Sequence, residues 1–227
     1  MLKSKTKNAA VLFSGGKDSC LALHKAKQEG WEIKFLLNVF PKTKDSFMFH
    51  KPDLDLLARQ AEELDIELIV KETSGEKERE LEDLKSLINS VKDKIDAIVV
   101  GGIASSYQGG RIKKICSELG LEFYTPLWDY NSEEIWDELF SNGFEVILMK
   151  ISTEGIGKEW IGKIIDKKKF DELKKLSEKY KFRLDFEGGE AESAVLFMPE
   201  FKKHIKIKFD SYSEGEYRHF IDIKKIE

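Results

Sequence analysis

The first half of the chain alternates between short apolar runs and amphipathic helical patterns. The apolar runs cover residues 9–13, 33–40, 67–72 and 96–102, and the helical patterns that follow them cover 18–28, 53–64, 77–91 and 107–119. Short strands that are apolar throughout are typical of the centre of a parallel sheet. Asp53 follows Pro52 at one helix start, and Gly30 and Gly120 stand at helix ends, as helix boundaries require. We therefore predict an α/β fold, an open parallel sheet with helices on both faces.

The pattern changes after about Thr125. Helical patterns over 132–141 and 166–180 flank a strand over 144–151, and the tail holds two strand-like segments, 204–212 and 216–226, around the turn sequence Ser-Glu-Gly. This mixture predicts a smaller α+β domain. We place the division between residues 1–125 and 126–227.

Composition excludes several classes of protein. The chain has 227 residues, and its 38 basic and 42 acidic residues give a net charge of −4 without long single-sign blocks, so bulk electrostatic binding of nucleic acid is not expected. No stretch approaches the roughly 20 apolar residues of a membrane span, and no signal peptide is evident, so we expect no membrane association and a cytoplasmic location. The two cysteines, Cys20 and Cys116, are far apart and fall within helical patterns, which favours small core residues over a disulfide or zinc site.

The first predicted strand continues directly into a polar turn, SGGKDS, at Ser14–Ser19. Backbone amides at a helix start lack intrahelical acceptors, and the helix dipole adds partial positive charge, so such a turn is suited to bind an anion. Lys17 adds a full charge, and Asp18 could hold a magnesium ion that bridges phosphate oxygens. The spacing differs from the P-loop, because Asp18 follows the lysine where the P-loop has Ser or Thr. A plain capped turn is the alternative.

A strand followed by SGGKDS resembles the PP-loop of the N-type ATP pyrophosphatases. In that superfamily the loop holds the pyrophosphate of ATP while a substrate oxygen attacks the α-phosphate, which gives an adenylate and pyrophosphate. The resemblance implies a HUP-like domain over 1–125 that uses ATP and Mg²⁺. It implies catalytic roles for Lys17 and Asp18, with Asp18 as the metal ligand, and the implied ATP contacts in the turn are Ser14, Gly15, Gly16, Lys17, Asp18 and Ser19.

Three further segments resemble one branch of that superfamily, the diphthine ammonia ligase family. They are residues 48–69, 101–128 and 186–193, the last reading FEGGEAES. The family amidates the carboxylate of diphthine, a modified histidine of translation elongation factor 2, with ATP and ammonia. Further ATP contacts that we expect are Asn38, His50, Gly101, Gly102 and Ser105. A glycine pair after a strand also permits a ligand to approach the backbone closely. For these glycines the alternative is a packing turn, and for His50 it is a solvent-exposed loop residue without a role in binding.

FEGGEAES supplies three carboxylates, from Glu187, Glu190 and Glu192, that could bind a cation, orient an amine or stabilise ammonium. We predict catalytic roles for Glu187 and Glu190 in a substrate site to which the second domain contributes; an acidic surface loop is the alternative. Phe186 stands where the family has glycine, which puts the local backbone in doubt because glycine accepts φ values that other residues avoid.

The resemblance implies an AMP-forming carboxylate–ammonia ligase whose partners are diphthine-bearing elongation factor 2 and ammonia. A tRNA-modifying enzyme that uses the same adenylation chemistry is one alternative, and a nucleotide-binding module without turnover is another. The oligomeric state is left open, a homo-oligomer being one option.

Overall fold

Five parallel strands form the sheet expected in the first half of the chain. The computed structural model describes residues 7–41, 53–74, 77–102 and 106–227. The sheet has the order β3-β2-β1-β4-β5. Its strands are β1 (Asn8–Leu12), β2 (Glu32–Pro41), β3 (Glu67–Thr73), β4 (Ala97–Val100) and β5 (Glu122–Tyr124). The accompanying helices are α1 (Lys17–Gln28), α2 (Leu54–Leu64), α3 (Lys77–Asn89) and α4 (Ser106–Leu119). The predicted α/β fold class is confirmed, while the three-residue edge strand β5 was not predicted.

Helix boundaries follow local chemistry. The Asp53 side chain accepts a hydrogen bond from the Leu56 backbone amide and caps α2, as its position after Pro52 suggested. Gly30 and Gly120 both have positive φ, 88° and 73°, at the ends of α1 and α4. The prediction that the third helix extends to residue 91 was wrong by two residues, because a separate 3-10 turn forms over Lys92–Lys94.

Both faces of the parallel sheet are covered. On one face, alternate residues of β1, β2 and β4, including Ala10, Leu37 and Ile98, pack in a core with Leu84 and Ile115 from the third and fourth helices. The residues between them in the same strands are also buried, including Ala9, Val11, Leu36 and Val99. Since successive strand residues point to opposite faces, this burial explains why the strands read as continuous apolar runs.

Four antiparallel strands form a second sheet in the other half of the chain, in the order β7-β6-β9-β8. They are β6 (Glu145–Ser152), β7 (Ala191–Phe197), β8 (Ile207–Glu214) and β9 (Arg218–Ile226), and the helices are α5 (Ser132–Ser141) and α6 (Lys167–Tyr180). The α+β character is as predicted, but β7 was not foreseen. The turn of the last hairpin lies over Gly215–Tyr217, two residues later than expected, because Gly215 takes the positive φ of 70°.

The chain divides into two compact units. The first contains residues through Ser14 together with Ser19–Trp128, and the second contains Gly15–Asp18 together with Asp129–Glu227. The short segment Gly15–Asp18 is therefore grouped with the antiparallel sheet, although it interrupts the sequence of the first unit. None of the helices within the described ranges is long and apolar enough to cross a membrane.

Candidate active site

The end of β1 is fixed by its neighbour β2. The Phe13 amide donates to the Leu37 carbonyl at 2.8 Å, and Asn38 Nδ2 donates to the Phe13 carbonyl, also at 2.8 Å. Asn38 is 7% exposed, and its Oδ1 has no hydrogen-bond partner among the described residues. Because the Phe13 carbonyl requires a donor, the amide orientation is set, and Asn38 keeps one buried acceptor for another donor.

Two serines close the first unit's part of the Ser14–Ser19 turn. The Ser14 amide donates to Ser19 Oγ at 3.3 Å, and the two hydroxyl oxygens are 3.1 Å apart. Ser19 is buried within the first turn of α1, whereas Ser14 is exposed. The paired hydroxyls therefore bracket the turn.

Residues Gly15–Asp18 are held by β7 within the second unit. The Val195 amide donates to the Gly15 carbonyl at 3.0 Å, and the Lys17 amide donates to Ser193 Oγ at 3.1 Å. Gly15 has a φ of 73°, a left-handed conformation that glycine adopts without steric cost. The Lys17 amide is the first of α1, so Ser193 occupies one of the donors that a helix start leaves open.

The Lys17 side chain is almost completely buried, at 2% exposure. Its Nζ donates to the Asp185 backbone carbonyl at 2.6 Å and to Asp18 Oδ2 at 2.7 Å, and it lies 5.7 Å from the centre of the Phe186 ring. A buried ammonium requires such partners, because desolvation of an unpaired charge is costly. The second unit thus presents one fixed positive charge at the start of α1.

The partner of Lys17 belongs to a turn of the second unit, Arg183–Glu190, which we call the acidic loop. The Asp185 carboxylate accepts from four donors: Ser132 Oγ at 3.1 Å, Arg183 Nε at 2.9 Å, Arg183 Nη2 at 2.7 Å and the Glu187 amide at 3.0 Å. Burial by itself raises the pKa of Asp185, but the hydrogen bonds and the charge of Arg183 outweigh it, so the pKa is lowered. Asp185 is therefore ionised at neutral pH and organises the loop.

Glu187 interacts electrostatically with Asp18 and Lys17 of the turn. Its pKa is raised, first by desolvation of the carboxyl group and next by the negative charge of Asp18, while the Lys17 ammonium acts in the opposite direction. The residue as a whole is exposed, so its carboxyl group combines access to solvent with a partly desolvated position. A carboxylate with a raised pKa is better matched to proton transfer near neutral pH than an ordinary one.

The three carboxylates of FEGGEAES have different surroundings. Glu190 Oε1 accepts from the Arg183 amide at 3.1 Å, which ties the two ends of the acidic loop together. Glu192 lies in β7 and forms an ion pair with Lys150 at 2.8 Å. The three do not behave as one cluster, because Glu190 is bound to the backbone of the acidic loop and Glu192 to Lys150, whereas Glu187 interacts with the charges of Asp18 and Lys17.

Phe186 adopts a left-handed backbone conformation, with a φ of 62°. The doubt raised by glycine's absence at this position was justified, since the position does use a φ that suits glycine. The ring is 6% exposed and packs edge-on against Trp136, with ring centres 6.2 Å apart. Aromatic burial offsets the backbone strain here.

Two family models match the chain over nearly its whole length. The model described as the diphthamide synthase N-terminal domain matches residues 7–123, and that of the C-terminal domain matches residues 131–227. The chain belongs to the diphthamide synthase family. The matched ranges include both the Ser14–Ser19 turn and the acidic loop.

Relatives in the diphthamide synthase family extend over most of this chain. A diphthine–ammonia ligase of Mus musculus is 31% identical over 87% of this chain and 82% of its own length, and one of Bos taurus is 29% identical over 94% and 91%. The fission yeast enzyme of that name, from Schizosaccharomyces pombe, is 32% identical over 90% of this chain, which spans only 37% of the yeast protein. A solved structure described as a predicted subunit of tRNA methyltransferase from Methanocaldococcus jannaschii matches with a TM-score of 0.46 and 15% identity over 87% of this chain and 99% of its own.

The other predicted site residues fall in three groups. Gly101 and Gly102 directly follow β4, the first buried and the second exposed. His50 and Ser105 lie outside the described residues. Cys20 and Cys116 are buried, as predicted, and are not joined in a disulfide. Burial raises the pKa of Cys116 to about 11, so its thiol stays protonated at neutral pH.

Asp18 is the residue of the turn whose chemistry suits a magnesium ion. Its Oδ2 accepts from Lys17 Nζ, and its side chain is 21% exposed, so the carboxylate is accessible to a cation. Magnesium is commonly bound by one or two carboxylates together with substrate phosphates. Among the described residues no group of three or more His, Cys, Asp or Glu side chains is arranged to hold a metal. A bound ion would therefore take its remaining ligands from water and phosphate.

Asp185 and Ser193 were missed by the sequence interpretation. Asp185 precedes FEGGEAES and carries no recognisable motif, and its importance comes from hydrogen bonds to Arg183, Ser132 and Lys17 that only the fold reveals. Ser193 ends the FEGGEAES segment, but its role depends on β7, which was not predicted. No periodicity in the sequence signals either contact.

Proposed function

We propose that this chain is an ATP-dependent ligase that converts the diphthine carboxylate of translation elongation factor 2 into its amide with ammonia. Membership of the diphthamide synthase family supports the reaction class, and the relatives named above are described as diphthine–ammonia ligases. The observation that carries the proposal is the buried Lys17 ammonium at the start of α1, beside Asp18. A fixed cation at a helix start is suited to a polyphosphate.

The proposed reaction has two steps. An oxygen of the diphthine carboxylate attacks the α-phosphorus of ATP, and the bond to the bridging oxygen breaks with release of pyrophosphate. Ammonia then attacks the acyl carbon of the mixed anhydride, and AMP leaves with the carboxylate oxygen. Activation is required because a free carboxylate is a poor acyl donor, and the protein contributes mainly positioning and charge neutralisation.

Each side chain of the candidate site has a role in this proposal. Lys17 and the glycines of the turn hold the leaving pyrophosphate, and Asp18 holds Mg²⁺, which neutralises phosphate charge when bound. Glu187 accepts a proton from ammonium, a task that its raised pKa favours near neutral pH. Asn38 Oδ1, buried without a partner among the described residues, accepts a hydrogen bond from the nucleotide.

Ammonia rather than glutamine is the proposed nitrogen source. Glutamine-dependent enzymes use a reactive cysteine, which needs a lowered pKa and access to substrate. Both cysteines of this chain are buried, and the pKa of Cys116 is raised to about 11. We therefore expect a Cys20→Ala, Cys116→Ala double variant to retain its ammonia-dependent activity.

The proposal is tested with diphthine-bearing elongation factor 2, ATP and ammonium labelled with the heavy nitrogen isotope. We expect label in the factor, loss of one negative charge on isoelectric focusing, and AMP with pyrophosphate as products. Amidation with ordinary ammonium lowers the mass by about one unit, and the product made with heavy ammonium is about one unit heavier than that product, so parallel reactions with the two ammonium salts reveal the incorporated nitrogen. ADP and phosphate as the main products would contradict the adenylation step. Saturable tRNA binding at physiological salt would instead favour the tRNA-modifying alternative, and ATP binding without turnover would favour the binding module.

We also propose a cytoplasmic location, where elongation factor 2 acts in translation. Fractionation of cells that express the tagged full chain tests it, and recovery with membranes or organelles would contradict it.

A further inference from the structure

We propose that Asp185 is the positioning residue of the candidate site: it fixes the Lys17 ammonium through its backbone carbonyl and the acidic loop through its carboxylate. This inference rests on the proposed role of Lys17 in holding ATP. Asp185 does not itself act on the reacting atoms. It acts through Lys17 and Glu187.

The carbonyl side of Asp185 determines where Lys17 can lie. Lys17 Nζ donates to this carbonyl at 2.6 Å and to Asp18 Oδ2 at 2.7 Å, while the side chain is 2% exposed. Asp18 belongs to the same turn as Lys17 and can move with it. The Asp185 carbonyl comes from a distant part of the sequence, so it provides the fixed end of the contact.

The carboxylate side of Asp185 determines where that carbonyl can point. Both carboxylate oxygens are bound by Arg183, and Ser132 Oγ donates to Oδ2 as well. The side chain is 13% exposed, so the pair with Arg183 is partly shielded from water. Two parallel bonds to one guanidinium resist rotation better than a single contact. The side chain of Asp185 is therefore held in place, which restricts the orientation of its backbone carbonyl.

Neighbouring contacts limit the loop further. Trp136 Nε1 donates to the Leu184 carbonyl at 2.9 Å, directly before Asp185, and the Glu187 amide donates to Asp185 Oδ1 at 3.0 Å, directly after Phe186. Glu187 is the acidic residue whose pKa responds to Asp18 and Lys17. Asp185 is thus connected both to Lys17, which we propose binds phosphate, and to Glu187, which we propose accepts a proton from ammonium.

A double-mutant cycle on ATP binding tests this role. Calorimetry with ATP and Mg²⁺ gives the dissociation constant for the wild-type chain, Asp185→Ala, Lys17→Ala and the double variant. If Asp185 acts through Lys17, Asp185→Ala weakens binding about tenfold when Lys17 is present and less than about twofold when Lys17 is absent, because coupled residues are not additive. Asp185→Asn, which keeps one acceptor oxygen for the Glu187 amide and has an NH2 group that can donate to the Ser132 hydroxyl, should lose less than Asp185→Ala.

Controls separate positioning from loss of fold. Asp137→Ala removes an exposed carboxylate of the same unit that forms an ion pair with the exposed Lys167 at 3.6 Å, and its dissociation constant should equal that of the wild type. Denaturant unfolding of all variants identifies any chain that is not folded, and Asp185→Asn replaces Asp185→Ala in the cycle if the alanine variant fails. Equal losses with and without Lys17, or no loss in either background, would overturn the inference.

The readout also distinguishes this inference from the proposed function. A wild-type chain that binds ATP without forming AMP contradicts the ligase and still allows the cycle to be measured. A wild-type chain that does not bind ATP overturns both. A working ligase with additive losses overturns only the role of Asp185.

Discussion

The Ser14–Ser19 turn and the acidic loop are held in place by different kinds of contact. The turn is held mainly through its main chain, since the Gly15 carbonyl and the Lys17 amide are hydrogen-bonded to β7. In the acidic loop, a single carboxylate, that of Asp185, accepts from four donors. Substitution of Lys17 should therefore act mainly by removing a charge from the turn. Substitution of Asp185 should act mainly by shifting the residues that its carboxylate holds, which are Arg183, Ser132 and Glu187.

The two segments also reach left-handed backbone conformations in different ways. Gly15 has a φ of 73° and Phe186 a φ of 62°. Glycine adopts this conformation freely, but phenylalanine does so at a cost of about 1 kcal/mol or more. The acidic loop contains strain that the turn avoids, and the Trp136 contact helps to offset it. The loop is thus the segment in which stability and site geometry are most closely linked.

The largest effect should come from the charge of the turn. Lys17→Ala should lower the rate of AMP formation by about 10²-fold or more, because it removes a preorganised cation from the phosphate site. The matched control is Lys27→Ala, an exposed lysine near the other end of α1, which should leave the rate unchanged. Initial rates at saturating ATP measure both variants. A wild-type rate for Lys17→Ala would mean that the turn is not the phosphate site.

A smaller effect is expected from Glu187 in the acidic loop. Glu187→Gln should lower amidation by about tenfold to a hundredfold, because it removes the proton acceptor, while ATP binding stays equal or tightens as a negative charge is lost. The pKa of Glu187 is raised, so the wild-type rate at fixed free ammonia should increase with pH through a range above that of an ordinary glutamate. Glu187→Gln should lack this rise.

Stability gives an independent reading of the same carboxyl group. The folded-state pKa lies above the unfolded value of about 4.3, so the folded state binds more protons between the two values and stability falls as pH rises through that window. Glu187→Gln should remove this dependence and be the more stable protein at neutral pH. Urea unfolding at several pH values measures it. Lower stability of Glu187→Gln at neutral pH would show that the charged group is favourably paired.

A smaller effect than that of Glu187 should come from Asn38, which is hydrogen-bonded to the residue before the turn. Asn38→Leu leaves the Phe13 carbonyl without its donor, which should cost about 1–3 kcal/mol of stability, and should weaken ATP binding by about tenfold. The control is Asn142→Ala, since Asn142 also donates to a backbone carbonyl, that of Glu138, in the other unit. Asn142→Ala should leave ATP binding unchanged. Unaltered binding by Asn38→Leu would restrict Asn38 to a structural role.

The smallest effect tests the strain at Phe186. Phe186→Ala and Phe186→Gly both lose the buried ring, but only glycine removes the strain, so the glycine variant should be the more stable of the two by about 1 kcal/mol. At Phe170, inside α6, the same pair should show the opposite order, because alanine is favoured over glycine in a helix by about 1 kcal/mol. Denaturant unfolding compares the four proteins. The same order at both positions would mean that Phe186 is not strained.

Much of the fold could be predicted because burial leaves a direct trace in the sequence. Strands covered on both faces read as continuous apolar runs, and capping residues such as Asp53 mark the helix starts. β5 was missed because it has only three residues, of which none is fully buried. β7 was missed because its first residues, Ala191–Ser193, belong to FEGGEAES, a segment that was interpreted for its carboxylates and not as a strand. Short strands defined by their partners carry too little pattern of their own.

The candidate site was only partly predictable, for a related reason. The Ser14–Ser19 turn is local in sequence, so its glycines and Lys17 stand out together. Asp185 is recognised only by contacts with residues far away in the chain, such as Lys17 and Ser132. Glu187 and Glu192 look equivalent in the sequence, but the fold places Glu192 in an ion pair with Lys150. The predicted roles of the site residues stay predictions until they are measured.

Because both cysteines are buried, a fluorescent dye can be attached to the chain at one introduced cysteine. Cys20 and Cys116 are the only cysteines in the sequence, and both are enclosed in the first unit. A maleimide dye reacts with accessible thiolate, so it should leave the native folded chain unlabelled. One cysteine introduced at the exposed Gly188, where the added side chain meets the flexible end of Glu190, or at the exposed Lys27 as a reference, would then carry the dye alone. Fluorescence anisotropy could follow the acidic loop directly while nucleotide is added.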